Sequence, residues 1–588
     1  MSCHPRPNNF NFPFSLALNT QLYKAILSHG TQDSNSVSVF RFLDDTNRNT
    51  MARYPQTPLI RHIASPNESL EQPVQGDLYT SLPYLAVTDQ CGAGKNWRKT
   101  TIEKLHEDVL LEIFDFYRLD TMKQSQGRPW KWHRLAHVSR KWRDVVFRSP
   151  RRLGLRILCN SKAPIGSILA SWPTLPLVAK FDLGPKSKNI PRNVMVALRR
   201  PDRLCEIDLH VTSSMLASIV QVTQKPCHAL ESIRITVQAP TGPSILVRNA
   251  FLGGSAPHLR EIKLDGIAFS FPSIQQVLLS TKNLVELHLG HIPNDAYFSP
   301  NELVTSLSTL LKLKRLTVDF HSLPSSPLPS MTHASHYPQQ TTLPSLMSLD
   351  FHGASEYLEG FVAQIEVPAL CQIAIRLFND IFFDISEFCK FIPRLKALKS
   401  PTRVIIKHSV DFIGIHLEWE SSNENFFLGT SCRQLDWQLS FVTQITSQLS
   451  FLLSSVHLLD IQSGDEWPTG EEAMDSIEWL ELFRPFIHVT QVDVCHKLVR
   501  SIVPALVVED MTAEVLPELT SLQLGGYRHS PSVVKIAEKF VTARRLSGRT
   551  ISLVSGDEVR HCPFRYTNTL SKATTVAGGA GVGAEAGP

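Results

Sequence analysis

Few residues in this sequence are spaced for chemistry. Gly92-Ala-Gly-Lys95 has the end of a phosphate loop without its beginning. The pattern G-x-x-x-x-G-K-[S/T] needs a glycine where Asp89 stands and a hydroxyl where Asn96 stands. His133-Arg-Leu-Ala-His137 sets two imidazoles one helical turn apart, as zinc proteases do. Arg134, however, occupies the place of their general-base glutamate, and its guanidinium opposes a metal ion. His333-Ala-Ser-His336 sits in a Pro/Ser-rich stretch with no cysteine or acid cluster beside it, and Glu471/Glu472 reads as solvated surface. There is no G-x-S-x-G elbow, and neither Cys91 nor any other cysteine has a local histidine to activate it. The sequence predicts no catalytic residue, no metal site and no cofactor.

The bulk properties narrow the class further. A chain of 588 residues is too long for one compact core and calls for several units or an elongated solenoid. Apolar residues make up 43% and charged residues 19%, the balance of a globular protein, and a net charge of +5 gives no general case for nucleic acid. Ten scattered cysteines without a C-x-x-C pair are expected to be reduced, mostly buried thiols of an intracellular protein, cytoplasmic or nuclear. Neither a signal peptide nor an apolar run of membrane-spanning length is legible, so no membrane partner is expected. Residues 1–98 and 571–588 read as poorly ordered tails, the first rich in Pro, Asn, Ser and Gln, the second in Gly and Ala.

Between the tails, two patterns stand out. In Leu105 to Tyr117 apolar residues recur at helical spacing, with Glu107 and Asp108 placed in the first turn. A loop with Gly127 and Pro129 follows, then a short helix over 130–138, then Ser139 capping a helix over Arg140 to Arg148. Leu105, Val109, Leu110, Ile113, Phe114, Leu135, Val138 and Trp142 exceed what such a small unit at 100–156 can bury. Part of them is expected to form a patch that a partner covers, with Lys131, Arg134, Arg140, Lys141, Arg143, Arg148, Arg151 and Arg152 around it. On these residues alone, a wholly internal core stands beside that reading. Trp130, Trp132 and the basic run could stack on bases, but the run is short and the chain nearly neutral.

The second pattern is leucine, then an aliphatic residue three later, then another two after that. It occurs at Leu204/Ile207/Leu209, Leu230/Ile233/Ile235, Leu259/Ile262/Leu264, Leu284/Leu287/Leu289, Leu313/Leu316/Val318, Leu346/Leu349/Phe351, Leu370/Ile373/Ile375 and Leu519/Leu522/Leu524. The first seven are spaced by 24 to 33 residues, which predicts an α/β solenoid of irregular leucine-rich repeats over 157–560. Pro257, Pro344, Pro368 and Pro517 stand two residues ahead of a hit and deliver an extended chain. The ninth repeat position, usually Asn or Cys, is Thr212, Gln238, Ile267, Ile292, His321, Ala354 and Phe378, so the buried Asn ladder is missing. Strand alternation points the remaining side chains to one concave face: Glu206, Asp208, His210, Arg234, Glu261, Lys263, Asp265, Glu286, His288, Arg315, Asp319, Asp350 and Arg376. Mixed charges with few aromatics suit a protein target better than a small apolar ligand.

Leu105-His-Glu-Asp-Val-Leu-Leu-Glu-Ile-Phe114 and Trp132-His-Arg-Leu-Ala-His-Val-Ser-Arg-Lys-Trp-Arg-Asp-Val-Val-Phe147 together resemble an F-box. Ser149-Pro-Arg-Arg-Leu-Gly-Leu-Arg156, Trp479-Leu-Glu-Leu-Phe-Arg-Pro-Phe486 and Ala543-Arg-Arg-Leu-Ser-Gly548 are similar to segments of mushroom-type fungal F-box-like proteins. The resemblance implies a three-helix F-box that binds a Skp-type adaptor and, through it, a cullin. The repeats would then hold a target for a ubiquitin ligase whose other subunits do the transfer. His106 departs from the proline usual in that family, and the loop at 119–129 is long. Both leave open a repeat scaffold with a degenerate first module.

Overall fold

The computed structural model describes residues 104–556, apart from 125–132, 151, 161–165, 167–168, 171, 185–188, 239–246, 248–250, 323–339, 379–384, 410, 421–423, 433–434, 464–475, 496, 508–514 and 526–530. The predicted tails, the phosphate-loop remnant at Gly92, His333/His336, Glu471/Glu472 and most of the Pro/Ser-rich stretch lie outside the described residues. The chain divides into two compact units between Leu155 and Arg156.

The first unit is helical. Helix α1 spans Glu107–Gln124, α2 His133–Ala136 and α3 Arg140–Arg148. His106 starts α1: its carbonyl accepts from the Leu110 amide at 3.1 Å and its Nδ1 lies 3.1 Å from Asp108. Ser139 caps α3 by accepting from the Trp142 amide at 3.2 Å. The core closes on Phe114 and Trp142, packed edge-to-face at 4.9 Å between ring centres, with Leu110, Leu135, Val145 and Val146 buried around them.

The second unit is a mixed α/β structure on a long, mostly parallel sheet. Its strands are β1 (Ile157–Cys159), β2 (Leu177–Phe181), β3 (Leu204–Val211), β4 (Ser232–Val237), β5 (Glu261–Asp265), β6 (Glu286–Ile292) and β7 (Arg315–Phe320). There follow β8 (Thr341–Thr342), β9 (Ser348–Gly353), β10 (Ile365–Glu366), β11 (Gln372–Leu377), β12 (Arg403–His408), β13 (Phe412–Glu418) and β14 (Asn425–Ser431). The last are β15 (Leu458–Ser463), β16 (Gln491–Cys495), β17 (Ser521–Gly525) and β18 (Ser552–Gly556). Among the described residues 16 strands form one sheet, and β8 and β10 pair apart from it. Helices or turns link successive strands, among them α4 (Arg192–Leu198), α5 (Ser213–Val222), α6 (Phe271–Ser280), α7 (Pro300–Leu307) and α8 (Ser355–Val362). One face of the sheet is thereby covered and the other left open, as the strict alternation in β4, β5, β7 and β9 requires.

All eight leucine patterns fall on strands of this sheet, with their second and third residues on the buried face. In six of the eight patterns the opening leucine closes a tight turn; Leu230, Leu259, Leu313, Leu346, Leu370 and Leu519 donate to the carbonyl three residues back at 3.0–3.3 Å. The next residue donates one repeat backward: Arg260 to Glu231, Val285 to Arg260 and Lys314 to Val285, each at 2.8 Å. In place of an Asn ladder, Ile267, Ile292 and Ala354 are buried apolar residues, while the backbone amides of Gln238, His321 and Phe378 donate one repeat back, to the carbonyls of Val211, Ile292 and Gly353, at 2.8–3.0 Å.

One departure from a simple stack concerns β12–β14. The order β11-β14-β13-β12-β15 places a back-folded meander in the sheet, with β13 antiparallel to both neighbours. Phe412 and Phe427 stack at 5.9 Å between ring centres, and a Cβ on Gly414 would come within 3.0 Å of both rings.

Aromatic rings fill the core under β6–β9. Phe320 lies 4.9 Å from Tyr357, 5.7 Å from Phe298 and 6.4 Å from Phe351, all between ring centres. We expect Phe320→Ala to lower unfolding free energy by about 3–5 kcal/mol, read as a fall in denaturant midpoint. A loss below about 1 kcal/mol would show that the ring is not packed as described.

Candidate functional site: the open face of the sheet

The thirteen residues assigned by alternation to an exposed face lie on β3–β7, β9 and β11, seven strands that follow one another in the sheet. Register decides what they meet. Glu206, Ser232, Glu261, Glu286 and Arg315 stand side by side in one row, and Asp208, Arg234, Lys263 and His288 in the next. Opposite charges therefore meet directly, as Glu286 and Arg315, or diagonally, as Arg234 with Glu261 and Lys263 with Glu286.

A chain of ion pairs results. Arg156 reaches both Glu206 and Glu231 at 2.7 Å, and Lys180 reaches Asp208 at 2.6 Å. Arg234 meets Glu261 at 2.7 Å, Lys263 bridges Glu261 at 3.1 Å and Glu286 at 2.7 Å, and Arg315 closes on Glu286. Burial pushes the Glu261 carboxyl up, but hydrogen bonds from Arg234 and Lys263 outweigh it and hold it below 4.5. Glu286 is likewise held below 4.5 by Arg315 and Lys263 against its own burial.

On β6, β7 and β9 histidines join the arginines as partners of the acids. His291 Nδ1 lies 2.5 Å from Asp265 Oδ1, and His352 Nδ1 lies 2.8 Å from Asp319 Oδ1. His288 is pushed down by burial, and burial pushes the neighbouring Asp350 up. Arg376 lies over the Phe427 ring at 6.0 Å from its centre, which brings an aromatic residue to this end of the face. His210, on β3, is half-buried. Among the described residues no group of three or more His, Cys, Asp or Glu is placed to hold a metal ion, and no helix is long and apolar enough to cross a membrane.

Sequence reasoning missed Arg156, Lys180, His291, His352 and Phe427. His352 was within reach, because it follows Asp350 by two along the same strand. Arg156 precedes β1 and Lys180 lies on β2, two strands that lack the leucine pattern. His291 reaches the face only through a local irregularity, taken up below.

The first unit presents the other candidate surface. Of the apolar residues expected to meet a partner, Leu110, Phe114, Leu135 and Trp142 are closed into the unit's own core. Leu105 and Ile113 are half-buried, while Val109 and Val138 are exposed. Two more belong with them, Phe116 at 54% and Leu119 at 53% exposure. Val109, Ile113 and Phe116 stand at i, i+4 and i+7 and share one stripe of α1. Much of the surrounding basic charge is engaged within the unit: Arg152 with Glu112 at 2.6 Å and Asp115 at 3.3 Å, and Lys141 with the Leu105 carbonyl at 2.8 Å. Arg134 and Arg140 are exposed, and Lys131 and Arg151 lie outside the described residues.

No protein-family model and no curated protein matches the chain. A solved structure of a leucine-rich repeat-containing protein, LegL7 from Legionella pneumophila, is similar at 14% identity, with a TM-score of 0.23, over 57% of this chain and 95% of that one. Overlap of that degree carries no inference about this chain's function.

The ion-pair chain predicts a small, salt-sensitive contribution. Glu286→Gln should cost at most about 1 kcal/mol at low salt, because the pairs are part-exposed, and less in about 1 M NaCl. The stabilisation from Glu261 and Glu286 is present above the unfolded carboxylate value. It is lost as pH falls through their depressed folded values. Denaturant midpoints of wild type and variant at two salt concentrations check this, and an equal cost at both would contradict it.

Proposed function

We propose that this chain is a non-enzymatic recognition subunit: the open face of its repeat sheet holds a target protein, and its helical unit docks a Skp-type adaptor that leads to a cullin-based ubiquitin ligase in the cytoplasm or nucleus. The observation that carries the adaptor half is the apolar stripe of exposed Val109 and Phe116 with half-buried Ile113 between them, continued by exposed Leu119, on a helix whose other edge is the unit's core. A stripe of this kind is disfavoured in water and is suited to a partner helix with apolar anchors. The resemblance of 105–147 to an F-box names the adaptor class. His106, the departure from that family, still starts α1 properly, since its carbonyl accepts from Leu110.

The target half rests on a face of paired charges and imidazoles rather than an apolar pocket, which suits a protein surface. Cofactor, metal and nucleic acid have no part in this reading.

Co-expression of the full chain with a Skp-type adaptor tests it. The two are expected to purify together, and Ile113→Asp or Phe116→Asp is expected to abolish this by placing a charge in the apolar contact. Phe116→Asp should keep the wild-type melting curve, because that side chain is 54% exposed. Failure of the wild-type chain to retain the adaptor would end the ligase reading and leave a repeat scaffold.

A further inference from the structure

Strand β6 carries an extra residue against its neighbour. Its register with β7 passes from Leu289–Val318 to Ile292–Phe320, three steps on one strand against two on the other. His291 absorbs the difference, with φ at +46°. A non-glycine residue in that region is strained, and bulges of this kind re-aim a side chain. Here the bulge aims an imidazole between carboxylates of the strands on either side. His291 Nδ1 stands 2.5 Å from Asp265 Oδ1 on β5 and 3.8 Å from Asp319 Oδ2 on β7. The other oxygen of Asp319 meets His352 Nδ1 on β9 at 2.8 Å. Gly290 makes room: a Cβ there would lie 2.6 Å from His288 Nε2 and 3.1 Å from Asp265 Oδ1.

We propose that the chain Asp265–His291–Asp319–His352 is a proton switch built into the open face. It is balanced in charge when both imidazoles hold a second proton and anionic when neither does. The groups that face it come from every strand packed against it. They are Lys263 from β5, His288 from β6, His321 after β7, Asp350 from β9 and Arg376 from β11. Lys263 is bound to Glu261 and Glu286, and Arg376 acts on Asp350. The two cations thus leave the charge of the chain to the histidines.

The sign follows from the contacts. The hydrogen bond to Asp265, and then the charges of Asp265 and Asp319, outweigh burial and hold the His291 imidazolium above 6.5. Burial pushes Asp319 up, but His352 and His291 outweigh it and hold its carboxyl below 3.8. Stabilisation from His291 is therefore present below the ordinary imidazole value and is lost as pH rises through the folded value. The switch needs no partner. If the open face receives a target as proposed above, the charge it offers that target is set by pH, and this last consequence alone rests on that reading.

Histidine ring resonances of the full-length protein, with histidine isotopically labelled, test the switch directly. The resonance lost in His291→Gln is expected to titrate above 6.5 in wild type and to move down in Asp265→Asn. Titration at or below 6.5, or no movement in Asp265→Asn, would overturn the proposal. Denaturant unfolding supplies a second readout that does not depend on Asp265→Asn folding. The advantage of wild type over His291→Gln should shrink from about pH 6 to about pH 8.5. An advantage that grows or stays constant over that range would equally overturn it. His210→Gln, on the same face but away from the chain, is the control that should leave both readouts unchanged.

Discussion

One backbone hydrogen bond, made again in each repeat, fixes everything else on the sheet. The residue after each opening leucine donates to its counterpart one repeat earlier, and the line runs Cys205, Glu231, Arg260, Val285, Lys314, Met347, Cys371. Because every coil enters its strand from the same bonded position, every strand starts in the same phase. A slip of one residue would turn the aliphatic set outward and bury the charges. Even the back-folded meander respects the line. Asn425, on β14, donates to Cys371 at 3.0 Å, so the returning strand takes the place the next repeat would have held. The line resumes from Thr402 through His457, Thr490 and Thr520 to Ser552.

A common phase puts like positions side by side, and this has two consequences on the open face. Where acids and bases neighbour one another, as in β3–β7, pairing across and along the strands neutralises the surface at little energetic gain per pair. Where histidines stand beside the acids, the same geometry gives a surface whose charge depends on their protons. The bulge at His291 is the only break in strict pairing between β6 and β7, and it falls among those histidines. Strain held at one residue while the rest of the strand keeps its phase indicates that the imidazole's position matters more than regular pairing.

The sheet was legible wherever leucine opened a repeat. It was not legible where another residue did the same work. Val456/Leu459/Ile461 and Val489/Val492/Val494 have the spacing and burial of the other hits and lie on β15 and β16, but each opens with valine. Burial selects for aliphatic volume rather than for leucine, so a search keyed to leucine loses them. The meander was hidden for another reason. In β13 and β14 both faces are largely buried, so neither strand shows the period-two signal that reveals a half-exposed one. On the open face, alternation placed all thirteen named residues, yet a one-residue bulge put His291 where alternation says it cannot be.

The helical unit shows the opposite limit. Its α1 was legible as one wide apolar arc, but spacing alone does not say which part of the arc the core takes. The core of so small a unit has room for one edge only, and Phe114 against Trp142 fixes which edge. Each step along a helix turns the side chain by about 100°, so Val109, next to buried Leu110, faces well away from it. Phe116 and Leu119 then extend the arc on the exposed side. Turning α1 to bury them would pull Leu110 and Phe114 out of the core and gain nothing. Among the described residues, the unit's own packing thus leaves an apolar strip facing water.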